Sequence, residues 1–112
     1  MKWLVILLGL STFVSVAHAA NKGLEEVQAL GRLNGQALAC SQKENISRIK
    51  EVMINHAPRS RQYGAAFEQI THESFLVRSA EQEACGDAPV IALQVESLAT
   101  SLRAMFPARE KR

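Results

Sequence analysis

The residues of this chain that could do chemistry are few, and their spacing points to cross-linking rather than catalysis. Cys40 and Cys85 are its two cysteines. An even pair allows one intramolecular disulfide, and the C-x-x-C spacing of thiol–disulfide enzymes is absent. Glu68 and His72 stand one helical turn apart and can face the same way. Two ligands do not make a metal centre, because zinc takes three or four. Met53 and Met105 are soft enough for copper, but both fall at core spacing. No metal and no other cofactor is expected. The serines lack a nucleophile elbow of the G-x-S-x-G kind, and the carboxylates are scattered along polar faces. No catalytic residue is assigned, and an enzyme is not expected. Asn45-Ile46-Ser47 matches a glycosylation sequon, although a helix start explains the same residues.

Two features remain where binding could be built. Gly31, Gly35 and Ala39 recur every four residues. A glycine inside a helix costs about 1 kcal/mol relative to alanine, so two of them need a reason. Asn34 continues Val27 and Leu30 around the apolar side, and a buried amide needs a partner. Thr71 and Ser74 are the candidates. Gly31, Asn34, Gly35 and Ser74 thus outline an interhelical notch. It either receives a neighbouring helix or admits a small ligand or metal ion; a turn at Asn34-Gly35 that splits the helix is the third reading. The second feature is apolar surface. Phe75, Leu76 and Val77 are consecutive, and no helix points all three at one core. Leu93 stands off its own seam beside Val90. Phe75, Leu76 and Leu93 form the candidate partner surface, with Arg59 and Arg61 as a polar rim.

The elements that must position these residues read as helices, divided by prolines at 58, 89 and 107. Residues 24–40 carry Leu24, Val27, Leu30, Leu33, Ala37 and Leu38 at helical spacing, with Asn21 ahead as a candidate N-cap. Residues 42–57 open with Ser41-x-x-Glu44, the pattern of a capping box, and show Ile46, Ile49, Val52 and Met53 on one side. Residues 60–84 place Tyr63, Phe67, Ile70, Ser74 and Val77 in a stripe, with a bend allowed near Arg78-Ser79 and Cys85-Gly86 as C-cap. Residues 88–106 follow Asp87 as cap and carry Ile91, Val95, Leu98 and Leu102. The expected fold is all-α: a small antiparallel four-helix bundle in which helices 1 and 3 run parallel. Their C-terminal ends then share a pole, where Cys40 and Cys85 can meet.

Residues 1–19 read as a cleaved signal peptide: Lys2, an apolar run from Trp3 to Val16, then Ala17-His18-Ala19. The run is shorter than the roughly 20 apolar residues that span a bilayer. It holds no cysteine for lipid attachment. Residues 20–112 then form a single helical domain, exported to the periplasm of a Gram-negative cell or otherwise secreted, without a stable membrane anchor. Removal of Lys2 leaves twelve Lys and Arg against eleven Asp and Glu, a net charge of +1. That balance argues against nucleic acid or a strongly anionic surface as the main partner. The expected function is binding of another envelope or secreted protein, as an accessory, chaperone-like or inhibitor or immunity module. A carrier of a small ligand or metal ion between helices is the alternative. Oligomeric state is left open.

Overall fold

In a computed structural model, residues 22–81 and 85–107 are described. They hold four helices: α1 (Leu24–Ala39), α2 (Lys43–His56), α3 (Arg61–Ala80) and α4 (Ala88–Met105), with no strand among the described residues. Residues 1–19, which the sequence reads as a signal peptide, and Asn21 lie outside them. α1 runs unbroken through Asn34-Gly35, so that dipeptide is not a turn. Its first turn carries Glu25 and Glu26, where the helix dipole favours anions. It begins at Gly23, whose φ of 80° belongs to the left-handed region. A Cβ there would stand 2.7 Å from the Phe106 ring, so Gly23 also makes room for the end of α4.

The junction of α1 and α2 differs from the expected capping box. Ser41 has φ 55° and closes α1 rather than opening α2. The Gln42 N–H donates to the Ala37 carbonyl at 2.9 Å and the Ser41 N–H to the Leu38 carbonyl at 3.3 Å. These are the two bonds of a Schellman turn. A serine that caps through its side-chain oxygen is typically extended, and Ser41 is left-handed instead. Gln42 therefore becomes the N-cap of α2, without a side-chain capping bond. Serine in the left-handed region carries a steric cost that glycine escapes. Ser41→Gly is expected to stabilise the protein by about 0.5–1 kcal/mol, after allowance for the greater freedom of glycine in the unfolded chain. A thermal melt should rise by a few degrees; a fall would show that the Ser41 side chain contributes more than its backbone costs.

Ser60 accepts a hydrogen bond from the Tyr63 N–H at 3.4 Å and caps α3. α3 stays helical through Arg78-Ser79 and stops at Glu81, short of the expected residue 84. Glu81, whose N–H meets the carbonyls of Val77 and Arg78, is the C-cap; Cys85 and Gly86 belong to the connection that follows. Cys85 lies within bonding reach of Cys40. The two are disulfide-bonded, with Cα atoms 5.8 Å apart. Asp87 precedes α4, although its side chain makes no capping bond, and Pro89 sits in the first turn, where no N–H is needed.

The core joins Val27, Leu30 and Leu33 of α1 to Ile49 and Val52 of α2 and to Ile91, Val95, Ala99 and Leu102 of α4. Tyr63 and Phe67, from the first two turns of α3, complete it. Beyond them α3 stands apart. α1 packs against all three other helices, whereas no Cα of α3 lies within 8 Å of one in α2 or α4. Pairs along α1 and α3 advance together: Lys22 with Tyr63, Gly31 with Phe67 and Ile70, Gly35 with Thr71 and Ser74. The two helices therefore run in the same direction. α4 runs opposite to α1, since Gly23 meets Phe106. Arg48 holds α2 to α4 through two bonds to the Glu96 carboxylate, at 2.6 and 2.8 Å. Those bonds hold Glu96 below the usual carboxylate range.

Candidate functional site

The glycines of α1 are explained by α3. A Cβ on Gly35 would lie 2.5 Å from the Thr71 carbonyl oxygen, 2.6 Å from the Phe75 nitrogen and 2.6 Å from the Ser74 Cβ. On Gly31 it would lie 2.9 Å from the Phe67 carbonyl oxygen. Two absent side chains thus let the backbones approach closely, and the space that they clear is filled by α3. Asn34 and Ser74 are committed to the same contact. The Asn34 amide donates to Thr71 Oγ1 at 3.3 Å, and the Ser74 hydroxyl donates to the Arg32 carbonyl at 2.7 Å. Among the described residues no buried side-chain nitrogen or oxygen lacks a hydrogen-bond partner.

The open volume lies beside the notch. A groove of about 310 Å³ runs along the α1–α3 contact, with Leu38, Phe67 and Phe75 as apolar lining and Asn34 and Thr71 as polar lining. Glu68 and His72 stand on its wall, both exposed. No group of three His, Cys, Asp or Glu among the described residues is placed to hold a metal ion. The groove can take an apolar side chain or a small amphipathic molecule, and it offers an amide, a hydroxyl, a carboxylate and an imidazole for orientation.

The three residues of the candidate partner surface are not brought together. Phe75 lines the groove, and Leu76 is 55% exposed on the next flank of α3. Leu93, 72% exposed, belongs to α4, which α3 does not approach. Leu38 of α1, 43% exposed, lines the groove with Phe75, and Val77 is 61% exposed on α3. The spacing of Leu38 continues the α1 stripe, yet the side chain is exposed. The buried stripe is Val27, Leu30, Leu33 and Ala37, and Leu38 lies within about 20° of Val27 around the helix; it is exposed in the last turn of α1, where the groove opens beside Phe75.

At the disulfide pole, two amides that sequence reasoning missed fasten the chain after Cys85. Gln42 Nε2 donates to the Gly86 carbonyl at 3.0 Å, and Asn45 Nδ2 donates to the Ala88 carbonyl at 3.1 Å and to Gln42 Oε1 at 2.9 Å. Asn45 is buried, so the sequon nitrogen is occupied in the fold. The signal was an asparagine in phase with Ile49 and Val52 on α2. No helix among the described residues is long and apolar enough to cross a membrane. Compared with known protein families, curated proteins and solved structures, the chain matches none.

Proposed function

We propose that this chain is an exported, non-enzymatic helical protein that binds another envelope or secreted protein through the outer apolar side of α3. In this reading residues 1–19 leave as a signal peptide. The four helices form an antiparallel up-down-up-down bundle with α3 at its edge, closed by the disulfide. The Cys40–Cys85 bond supports export, because such bonds persist in oxidising compartments. The observation that carries the binding role is the state of α3. It is 20 residues long, packs on one helix, and buries a single residue, Tyr63. A helix with an apolar stripe normally hides it against its own core. Here Leu76 and Val77 face outward, while Phe75 and Leu38 line an open groove.

The test is cross-linking in the envelope of the source cell, with wild type, Leu76→Glu and Leu93→Glu compared. A cross-linked species of fixed mass is expected to fall about tenfold with Leu76→Glu, equivalent to about 1.4 kcal/mol, and to persist with Leu93→Glu. Equal recovery from Leu76→Glu, with an unchanged melting temperature, removes α3 as the binding surface. The groove favours a second reading, a small-ligand carrier, since its volume reaches the lower end of the roughly 300–1,000 Å³ found for ligand sites. Native mass spectrometry of the purified protein separates the two. A bound small-molecule mass supports the carrier, and a clean apo mass removes it.

A further inference from the structure

The near-neutral balance of the chain hides a segregation of charge that only the fold creates. α1 and α3 begin at one pole, and α2 and α4 end there. The Tyr63 hydroxyl donates to the Lys22 carbonyl, and the Tyr63 and Phe106 rings meet edge to face at 6.5 Å. The Lys22 ammonium sits 5.6 Å from the Phe106 ring centroid. Four cations from separate stretches of sequence therefore share this end: Lys22, Arg59, Arg61 and Arg103. All four are exposed, and none forms an ion pair among the described residues. Their counter-charges at the pole are Glu25 and Glu26, leaving an excess of two positive charges. Everywhere else the described residues carry seven carboxylates against five cations, an excess of two negative charges. The first turn of α3 holds no acidic residue, so the positive end of its dipole adds to the field of Arg59 and Arg61.

We propose that this pole docks on an anionic lipid bilayer surface. The cations are spread over the ends of three helices, which suits a diffuse planar field of headgroups. A protein partner would need a dehydrated apolar centre. The large apolar side chain exposed near this pole is Ile54, on the last turn of α2. The opposite sign of the remaining surface turns the molecule pole-first toward such a field. The attachment is reversible and salt-dependent, distinct from a membrane anchor. It does not rest on the protein-binding role of α3, and it leaves the disulfide end pointing away from the lipid.

All four helices, the core and the disulfide lie within residues 22–107, so the chain from Ala20 is the unit to test. Its sedimentation is measured with phosphatidylcholine vesicles, alone and with about one third phosphatidylglycerol. Binding is expected with the anionic vesicles only, and it should disappear when salt shortens the screening length to about 3 Å. Arg59→Gln/Arg61→Gln should weaken it roughly thirty-fold, from about a five-fold effect per cation near the surface. Lys43→Gln/Lys50→Gln removes the same charge elsewhere and should leave affinity within about threefold. Circular dichroism confirms that both double variants are folded. The proposal is overturned by failure of the wild type to bind, by equal weakening in the two double variants, or by displacement with inorganic phosphate at constant ionic strength. The last result would mean a discrete anion site instead of a surface.

Discussion

Reduction of the Cys40–Cys85 disulfide, or its replacement by Cys40→Ser/Cys85→Ser, is expected to lower the melting temperature by about 15 °C or more. The bond spans 45 residues, and the chain-entropy relation gives a loop of that size about 4 kcal/mol. A small domain has roughly 5–15 kcal/mol in total, and each kcal/mol moves its midpoint by about 4–8 °C. The fold adds a local reason for a large effect. Beyond Phe67, α3 packs on α1 alone, and the disulfide at Cys85 lies just past its C-terminal end. Once the bond opens, the bonds from Gln42 to Gly86 and from Asn45 to Ala88 hold the start of α4, not the end of α3. Amide exchange should therefore accelerate first at Val77 to Ala80, before the amides of Val95 and Leu102 in the core. Thermal melts with and without reductant, with thiol release titrated, measure the main effect. An unchanged midpoint with both thiols free would remove the structural role of the bond.

Much of this architecture was legible because helix periodicity is local. Ile91, Val95 and Leu102 repeat on one side of α4, and they are buried there. The pairing of Cys40 with Cys85 was legible because two cysteines leave one intramolecular choice. Other features depend on partners that spacing does not identify. Val77 lies on a helical stripe and is exposed, because a helix that meets one neighbour buries only a narrow line. Ser41 satisfies the capping-box pattern and is nonetheless left-handed, since the reversal between α1 and α2 is too short for both caps. The polarity of charge was invisible because Lys22, Arg59 and Arg103 are far apart in sequence. The apolar run of Phe75, Leu76 and Val77 was readable as surplus; its separation from Leu93 required knowing that α3 and α4 lie on different sides of α1.

Gly35→Ala should be the most damaging single methyl addition in the protein. In an open helix the change would stabilise by about 1 kcal/mol, because alanine is the better helix former. At Gly35 the new Cβ would fall 2.5–2.6 Å from the Thr71 carbonyl oxygen, the Phe75 nitrogen and the Ser74 Cβ. Two of those atoms are backbone, so no rotamer change can relieve the clash. α3 must instead lift from α1 by about 1 Å to restore ordinary contact distances, which are about 3.5–4.0 Å between carbons. Lifting stretches the Ser74–Arg32 and Asn34–Thr71 hydrogen bonds, which start at 2.7 and 3.3 Å. Overpacking costs about 1–3 kcal/mol and at times more, so a net loss of about 2 kcal/mol is expected. The corresponding fall in melting temperature is roughly 8–15 °C. Gly64 supplies the control, since a Cβ there meets nothing within 4 Å. Gly64→Ala should raise the melting temperature by a few degrees through helix propensity alone. Opposite signs for the two substitutions would place the stability of α3 in its close approach to α1. A neutral Gly35→Ala would mean that α3 slides on α1 at little cost, leaving the disulfide as its principal restraint.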